Sequence, residues 1–399
     1  MVKLSSAAER LQGQEMFQML EKANELEKQG KSVIHFELGD PDFDTPRTIV
    51  NAAHDSLNKG DTHYTSSKGL LELRVAAAVS TEKGRRKFKP ELNQLLITPG
   101  ANIQIYYAMK CCVNPGEDVI VPDPGFASYF SIANLLGINS IHVPLKEENE
   151  FRLNPEDVRK MITDKTKMII MNSPSNPTGS VMKEEEIKEI YNIAKEKDIY
   201  LLSDEIYTRL LYEDSETKFF SPGSIDHCKE RTIIVNGFSK AYAMTGWRLG
   251  VITAPKELIE KMGLLLETIN SCVSPFIQKA GLEALTGSQE VVKNMVREYA
   301  RRRDVLVDGL NSIPEISCVK PKGAFYAFPN ITKTGMNSRE FTDFMLNEAG
   351  VSLSPGPVFG NHGEGYVRLS YANSIENIEV GIERMKYALK ERGIKKQDG

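Results

Sequence analysis

A lysine directly after a buried apolar run is poorly hydrated, and poor hydration lowers an amine's pKa and raises its nucleophilicity at neutral pH. Lys240 occupies such a place: it follows the run TIIVN (232–236) inside NGFSKAYAMTGWR, among small and aromatic residues, with Ser239 before it and Arg248 further along. Lys240 is therefore a Schiff-base candidate. Taken alone, such a lysine more often snorkels to solvent, so its companions decide. Asp204 ends the run IYLLSD (199–204), with Tyr207 three residues on. An unpaired carboxylate there is costly, so Asp204 should meet a cation or a protonated ring nitrogen, or else cap the helix that follows. The loop Pro99-Gly100-Ala101-Asn102 leads from an apolar run into NIQIYYAMKCC. Free N–H groups at that helix start suit a phosphate, although any strand-to-helix turn can carry glycine.

These residues need a scaffold that brings them together. Seven short, nearly continuous apolar runs read as strands buried on both faces of a mostly parallel sheet: 94–98, 118–122, 140–145, 167–172, 199–204, 232–236 and 249–254. Helices alternate with several of them, the clearest being KEEEIKEIYNIAKEKD (183–198), with Ile187, Ile190 and Ala194 on one face. That is an α/β domain. In open sheets of this kind a ligand lies beyond the carboxyl ends of the strands, where TPGANIQ, NSPSNPTG, SDEIY and NGFSKAYAMTGWR all fall. After about residue 290 the rhythm changes to long charged helices and short strand candidates around CVKPKGAFYAF and GYVRLSYA. A smaller α+β domain closes the chain, its last helix beginning at Asn373 and Ser374 and burying Ile378, Ile382, Met385 and Leu389.

Composition bounds the function. The 399 residues are 41% hydrophobic and 26% charged, ample for two to three domains with a sizeable core. With 50 Lys and Arg against 54 Asp and Glu, the net charge of −4 provides no global field for nucleic acid or anionic lipid. Five cysteines, none in a CxxC pair, suggest a reducing compartment. No signal peptide or long apolar span is visible, so a cytoplasmic protein is expected. No nucleotide-binding P-loop or GxGxxG fingerprint occurs, and the six histidines form no metal-ligand spacing. The basic runs Arg85-Arg86-Lys87 and Arg301-Arg302-Arg303 read as solvated faces.

The motifs LGDPDFDTP, YTSSKGLLELR, NSPSNPTG, SDEIY, NGFSKAYAMTGWRLG, PKGAFYAF and YVRLSYA occur in family order over nearly the whole chain. The chain resembles the class I pyridoxal-phosphate aminotransferases of fold type I, particularly their prokaryotic aspartate aminotransferase branch. The resemblance implies a large domain of roughly 45–290 with a mostly parallel seven-stranded sheet, and a small domain made of 1–44 and 291–399. It implies pyridoxal 5'-phosphate as cofactor, amino acids and 2-oxo acids as substrates, and a homodimer with shared active sites.

By resemblance, Lys240 forms the Schiff base with the cofactor and moves the proton at the substrate α-carbon. Asp204 partners the pyridine nitrogen, and Tyr207 and Asn176 donate to the 3'-oxygen. Arg248, Ser239 and the Ala101-Asn102 backbone hold the phosphate, Tyr64 reaches the phosphate of the neighbouring subunit, and Phe126 stacks on the ring. Arg368, assisted by Asn176 and the Gly39 backbone, grips the α-carboxylate, for which a guanidinium fork is well shaped. Three positions depart from the family pattern. Asn102 stands where aspartate-specific members carry a lysine, Phe126 where tryptophan is frequent, and Gly237 where many members have a hydroxyl. Lys68 could supply a cation for an acidic side chain or be a solvated loop lysine. A β-lyase, a cyclopropane-forming synthase or, more remotely, a non-enzymatic sensor would share the fold and cofactor.

Overall fold

The computed structural model describes residues 2–11, 13 and 15–397. Strand β1 (Ile34–His35) lies in the N-terminal segment, and the seven apolar runs follow as β2 (Leu95–Thr98), β3 (Asp118–Asp123), β4 (Asn139–Pro144), β5 (Thr166–Asn172), β6 (Tyr200–Asp204), β7 (Thr232–Val235) and β8 (Gly250–Thr253). They form one sheet in the order β2-β8-β7-β6-β5-β3-β4. Only β8 runs against its neighbours β2 and β7; every other pair is parallel. Leu95, Leu96 and Ile97 of β2 and Val119, Ile120 and Val121 of β3 have no solvent exposure. Each such side chain contributes about 1.5–3 kcal/mol of apolar burial.

Helices cover both faces. Asn102–Cys112 and Lys256–Asn270 pack their apolar stripes on one side. On the other, Glu184–Glu196 buries Ile187, Ile190 and Ala194 as its spacing requires. Its Glu184–Lys188 pair, at 2.6 Å, is half exposed and contributes little.

The remaining strands are short. β9 (Tyr326–Ala327), β11 (Ser354–Pro355) and β12 (Val367–Ser370) make an antiparallel sheet ordered β11-β12-β9, while β10 (Val351–Ser352) pairs in parallel with β1. The N-terminal segment thus joins the C-terminal part of the chain, through backbone bonds such as Ile34 N–H to Gly350 O at 2.8 Å. The final helix, Ile375–Gln397, starts where expected, with Ser374 Oγ accepting from Asn377 N at 3.1 Å, and buries Ile378, Ile382, Met385 and Leu389. Among the described residues no helix is long and apolar enough to cross a membrane.

The two basic runs are not simply solvated faces. Arg86 is buried, with its Nε 2.5 Å from Glu205 Oε2 and an Nη2 bond to Thr208 Oγ1 at 3.0 Å. Arg302 and Arg303 are also buried: Arg302 reaches Asp42 Oδ1 at 2.7 Å, and Arg303 clasps both oxygens of Asp214 at 2.9 and 2.7 Å. A run of like charges on a helix places successive residues on different faces, so a run that looks uniformly solvated still sends members inward. Arg301, in contrast, stays exposed beside Glu298.

Candidate active site

Strand direction explains why distant residues meet. β2, β5, β6 and β7 end on one edge of the sheet and are followed there by Ala101-Asn102, Asn176, Tyr207 and Ser239-Lys240, respectively. Because β8 runs the opposite way, its start, just after Arg248, lies on that same edge. These residues line one cavity of about 370 Å³, together with Gly39, Asp204, Phe126 and Arg368. Tyr64 and Lys68 lie outside it, Tyr64 87% exposed and Lys68 half-buried, and Gly237 lines a neighbouring cavity instead.

Each side chain has a local reason for its position. Gly100 adopts φ +87°, and a Cβ there would come within 2.4 Å of the Arg248 guanidinium. Only glycine lets the loop and the arginine share that corner. Arg248 itself takes φ 53°, a conformation held at a cost of order 1–3 kcal/mol, and donates from Nη1 to Thr245 O at 2.8 Å. Thr45 clamps the Lys240-to-Arg248 segment: its Oγ1 donates to Ala243 O at 2.5 Å and accepts from Trp247 Nε1 at 3.0 Å.

Lys240 Nζ donates to Gly39 O at 2.6 Å. Burial pulls the amine down from 10.5 to about 8, with Arg368 and Arg248 lowering it further and Asp40 opposing. Asp204 accepts from Tyr129 OH at 2.7 Å through Oδ2 and from Ile206 N at 3.2 Å through Oδ1, but meets no cation among the described residues. Burial raises it from 3.8 to about 6. Tyr207 and Tyr326 share a hydroxyl contact of 2.7 Å, and burial holds Tyr207 well above its ordinary value, so it stays a donor.

Arg368 is sealed between the rings of Tyr326 and Phe359, 4.7 and 4.6 Å from their centroids. It donates from Nη1 to Asn176 Oδ1 at 3.1 Å and from Nη2 to Glu37 O, while Nε has no partner. A buried guanidinium with an idle N–H and no carboxylate of its own is an oxyanion receptor. Asn176 accepts from Arg368 through its Oδ1 and donates its backbone N–H to Asn172 Oδ1 at 2.8 Å, leaving its side-chain amide donors for a ligand.

Several lining residues carried no readable sequence signal. Leu38 and Asp40 arrive with the N-terminal segment, and Tyr326 with the small sheet. Tyr326 lay inside the motif PKGAFYAF, and its packing against Gly39, where a Cβ would meet the hydroxyl at 2.1 Å, is a pairing that only the fold reveals. Tyr129 could have been suspected, since it sits one helical turn after Phe126 beside the same strand end.

A depressed amine also predicts its own titration. Competitive labelling of Lys240 with an amine-directed reagent in the cofactor-free protein is expected to show a midpoint near pH 8, against 10.5 for the unfolded chain. The unfolded state then binds more protons between those values, so stability should rise with pH across that window. A Lys240 midpoint above pH 10 would contradict the burial argument.

At the carboxyl edge of a doubly covered, mostly parallel sheet, the described residues place a lysine of lowered pKa, a buried aspartate without a cation and two arginines without carboxylate partners, a site suited to an anionic ligand with a basic group. Residues 31–385 match the family described as aminotransferase class I and II, and the chain belongs to it. It is an aminotransferase. It is 44% identical over 364 residues to the aspartate aminotransferase of Pyrococcus abyssi, covering 91% of this chain and 93% of that one. Over the same shares it is 43% identical to aromatic-amino-acid aminotransferase 2 of Thermococcus litoralis. Among solved structures, the Thermus thermophilus aspartate aminotransferase with maleate matches with a TM-score of 0.91 at 35% identity, covering 97% of this chain and 100% of that one.

Proposed function

We infer that this aminotransferase uses pyridoxal 5'-phosphate to move an amino group from an L-amino acid to a 2-oxo acid by a ping-pong sequence, with glutamate and 2-oxoglutarate as one pair. One observation carries the reading: Lys240, Arg248 and Arg368 line the cavity without ion-pair partners among the described residues, and Asp204 lines it without a cation. The cofactor and substrate together bring the complementary groups, an aldehyde, a phosphate, a carboxylate and a basic ring nitrogen.

The fit extends to shape. The corner kept open by Gly100 in front of Arg248, with Ser239 and the Ala101 and Asn102 backbone beside it, would hold the phosphate. Asp204 would face the ring nitrogen, Tyr207 and Asn176 the 3'-oxygen, and Phe126 one ring face. When bound, the cofactor supplies an aldehyde and a protonated ring that accepts the electron pair released at the substrate α-carbon. Arg368 binds the α-carboxylate through its two-pronged fork, and the Tyr326 and Phe359 rings prevent the guanidinium from swinging away. Lys240, with an amine pKa near neutrality, takes the α-proton and returns it. The exposure of Tyr64 supports a role in a second subunit's site, and therefore a homodimer. The strand pairings β1–β10 and β11-β12-β9 support a small domain of 1–44 and 291–399 against a large one of 45–290; Met1 and Gly399 at its ends lie outside the described residues. A cytoplasmic location, with small molecules rather than nucleic acid or membrane as partners, belongs to the same proposal, and the net charge of −4 offers no global field for a polyanion.

The test is amino exchange. Purified enzyme given 2-oxoglutarate and a panel headed by aspartate and the aromatic amino acids, the substrates in the names of the two relatives, should form glutamate in equal amount to the 2-oxo acid released, with parallel double-reciprocal plots. Ammonia and pyruvate from a sulfur amino acid, with no glutamate formed, would identify an elimination enzyme instead. Arg368→Lys keeps the charge and loses the fork, so the KM for the amino donor should rise on the order of tenfold to a hundredfold. An unchanged KM would move the carboxylate elsewhere.

A further inference from the structure

A second cavity, larger than the catalytic one, lies on the far side of the segment that carries Tyr207. It measures about 710 Å³ and lies between the segment 206–214, the segment leading to Lys240, and the helix Glu290–Asn311, sharing only Ile206 with the catalytic cavity. Its size is that of a small-molecule site. Phe238, Leu285, Val292 and Val296 give it an apolar wall.

Its charges are uneven. Arg86 and Arg303, both at its margin, are neutralised by Glu205 and by Asp214 with Asp304. Arg85 and Arg209 are not. Arg209 donates to Gln289 Oε1 and Ser80 Oγ, each at 3.0 Å, and its guanidinium lies 5.3 Å from the Tyr242 ring centroid. Arg85 donates to Thr208 O at 2.7 Å. Among the described residues every partner of the two is neutral, and neither has a carboxylate within ion-pair distance. A guanidinium carries five N–H donors, so most of theirs remain open to the cavity. Arg85 as a residue is exposed, but desolvation of its guanidinium and, second, the charge of Arg209 hold it below its ordinary pKa.

We propose that this cavity is a second binding site, for a small organic oxyanion whose head lies between Arg85 and Arg209 and whose apolar body rests on Phe238, Val292 and Val296. Planar guanidinium forks bind carboxylate and phosphate alike. The ligand would touch both the loop that carries Tyr207 and the helix that leads to the small sheet. It would tie those two elements together.

Holoenzyme titrated calorimetrically with phenyl phosphate and, separately, with benzoate should show a binding event that persists in Arg368→Gln. The event should weaken on the order of tenfold in Arg209→Gln and in Arg85→Gln. Arg85 is exposed at the cavity margin, so Arg85→Gln keeps the result readable if Arg209→Gln fails to fold. Tighter binding of phenyl phosphate assigns the site to phosphate monoesters, and tighter binding of benzoate to carboxylates. The proposal is overturned if neither probe binds at about 10 mM, if the event disappears in Arg368→Gln, or if Arg85→Gln binds like the wild type.

Discussion

Lys240→Ala protein should turn over no amino donor, and borohydride should leave no cofactor attached to its chain. Two separate functions vanish with one amine. Among the described residues Lys240 is the only lysine lining the catalytic cavity, so no such neighbour can take over the proposed covalent link or the proton transfer at the α-carbon. Loss of a positioned acid-base group alone costs 10²–10⁴ in rate, and loss of the nucleophile adds to it, so the expected fall is at least about 10⁴. The fold should survive, because among the described residues the amine makes one hydrogen bond, to Gly39 O. Turnover within tenfold of wild type, in a variant with native circular dichroism, would remove Lys240 from the mechanism.

Asp204→Asn has effects of opposite sign on activity and stability. The carboxylate is buried, accepts only two hydrogen bonds, and has its pKa raised from 3.8 to about 6 by burial. A group raised in the folded state stabilises the fold below its unfolded pKa, and that stability is lost as pH rises through the folded value, here from about 4 to about 6. At pH 7 the cofactor-free protein therefore carries an ionised Asp204 at a cost on the order of 3 kcal/mol. Asparagine removes the charge, keeps an oxygen to accept from Ile206 N, and turns its NH2 toward the Tyr129 hydroxyl, which can accept as well as donate. The cofactor-free variant should melt at a higher temperature than wild type at pH 7 and at the same temperature near pH 4. Turnover should meanwhile fall on the order of a thousandfold, since the neutral amide cannot hold a proton on the ring nitrogen. A lower melting temperature at pH 7 would show that Asp204 has a cation partner in the cofactor-free protein.

How much of this was legible depended on the length scale of the signal. The seven large-sheet strands could be read because each is a continuous apolar run, and all seven pair within a residue or two of the expected bounds. β1 and β10 could not: two-residue strands such as Ile34–His35 and Val351–Ser352 leave no periodicity, and their partnership spans most of the chain. The residues at strand ends, Asn176, Asp204, Tyr207 and Lys240, were legible because topology and motif agreed. Asp40 and Tyr326 were not, since the fold brings them to the cavity from elements that sequence does not connect. Arg86, Arg302 and Arg303 were misread because a charge run reveals composition and hides which members turn inward.

The reversed strand β8 has a consequence for how the molecule comes into being. β2 sits at the edge of the large sheet and pairs with β8 alone, Leu95 opposite Thr253, so it must wait for more than 150 further residues to be synthesised before it has a neighbour. Arg248, immediately ahead of that strand, arrives at the same late moment. A nascent chain can accumulate β3 to β7 and still lack Arg248, one of the residues proposed to hold the phosphate. Closing the edge of the large sheet and placing Arg248 belong to one event, so phosphate binding at the proposed cofactor site would report that β8 has docked.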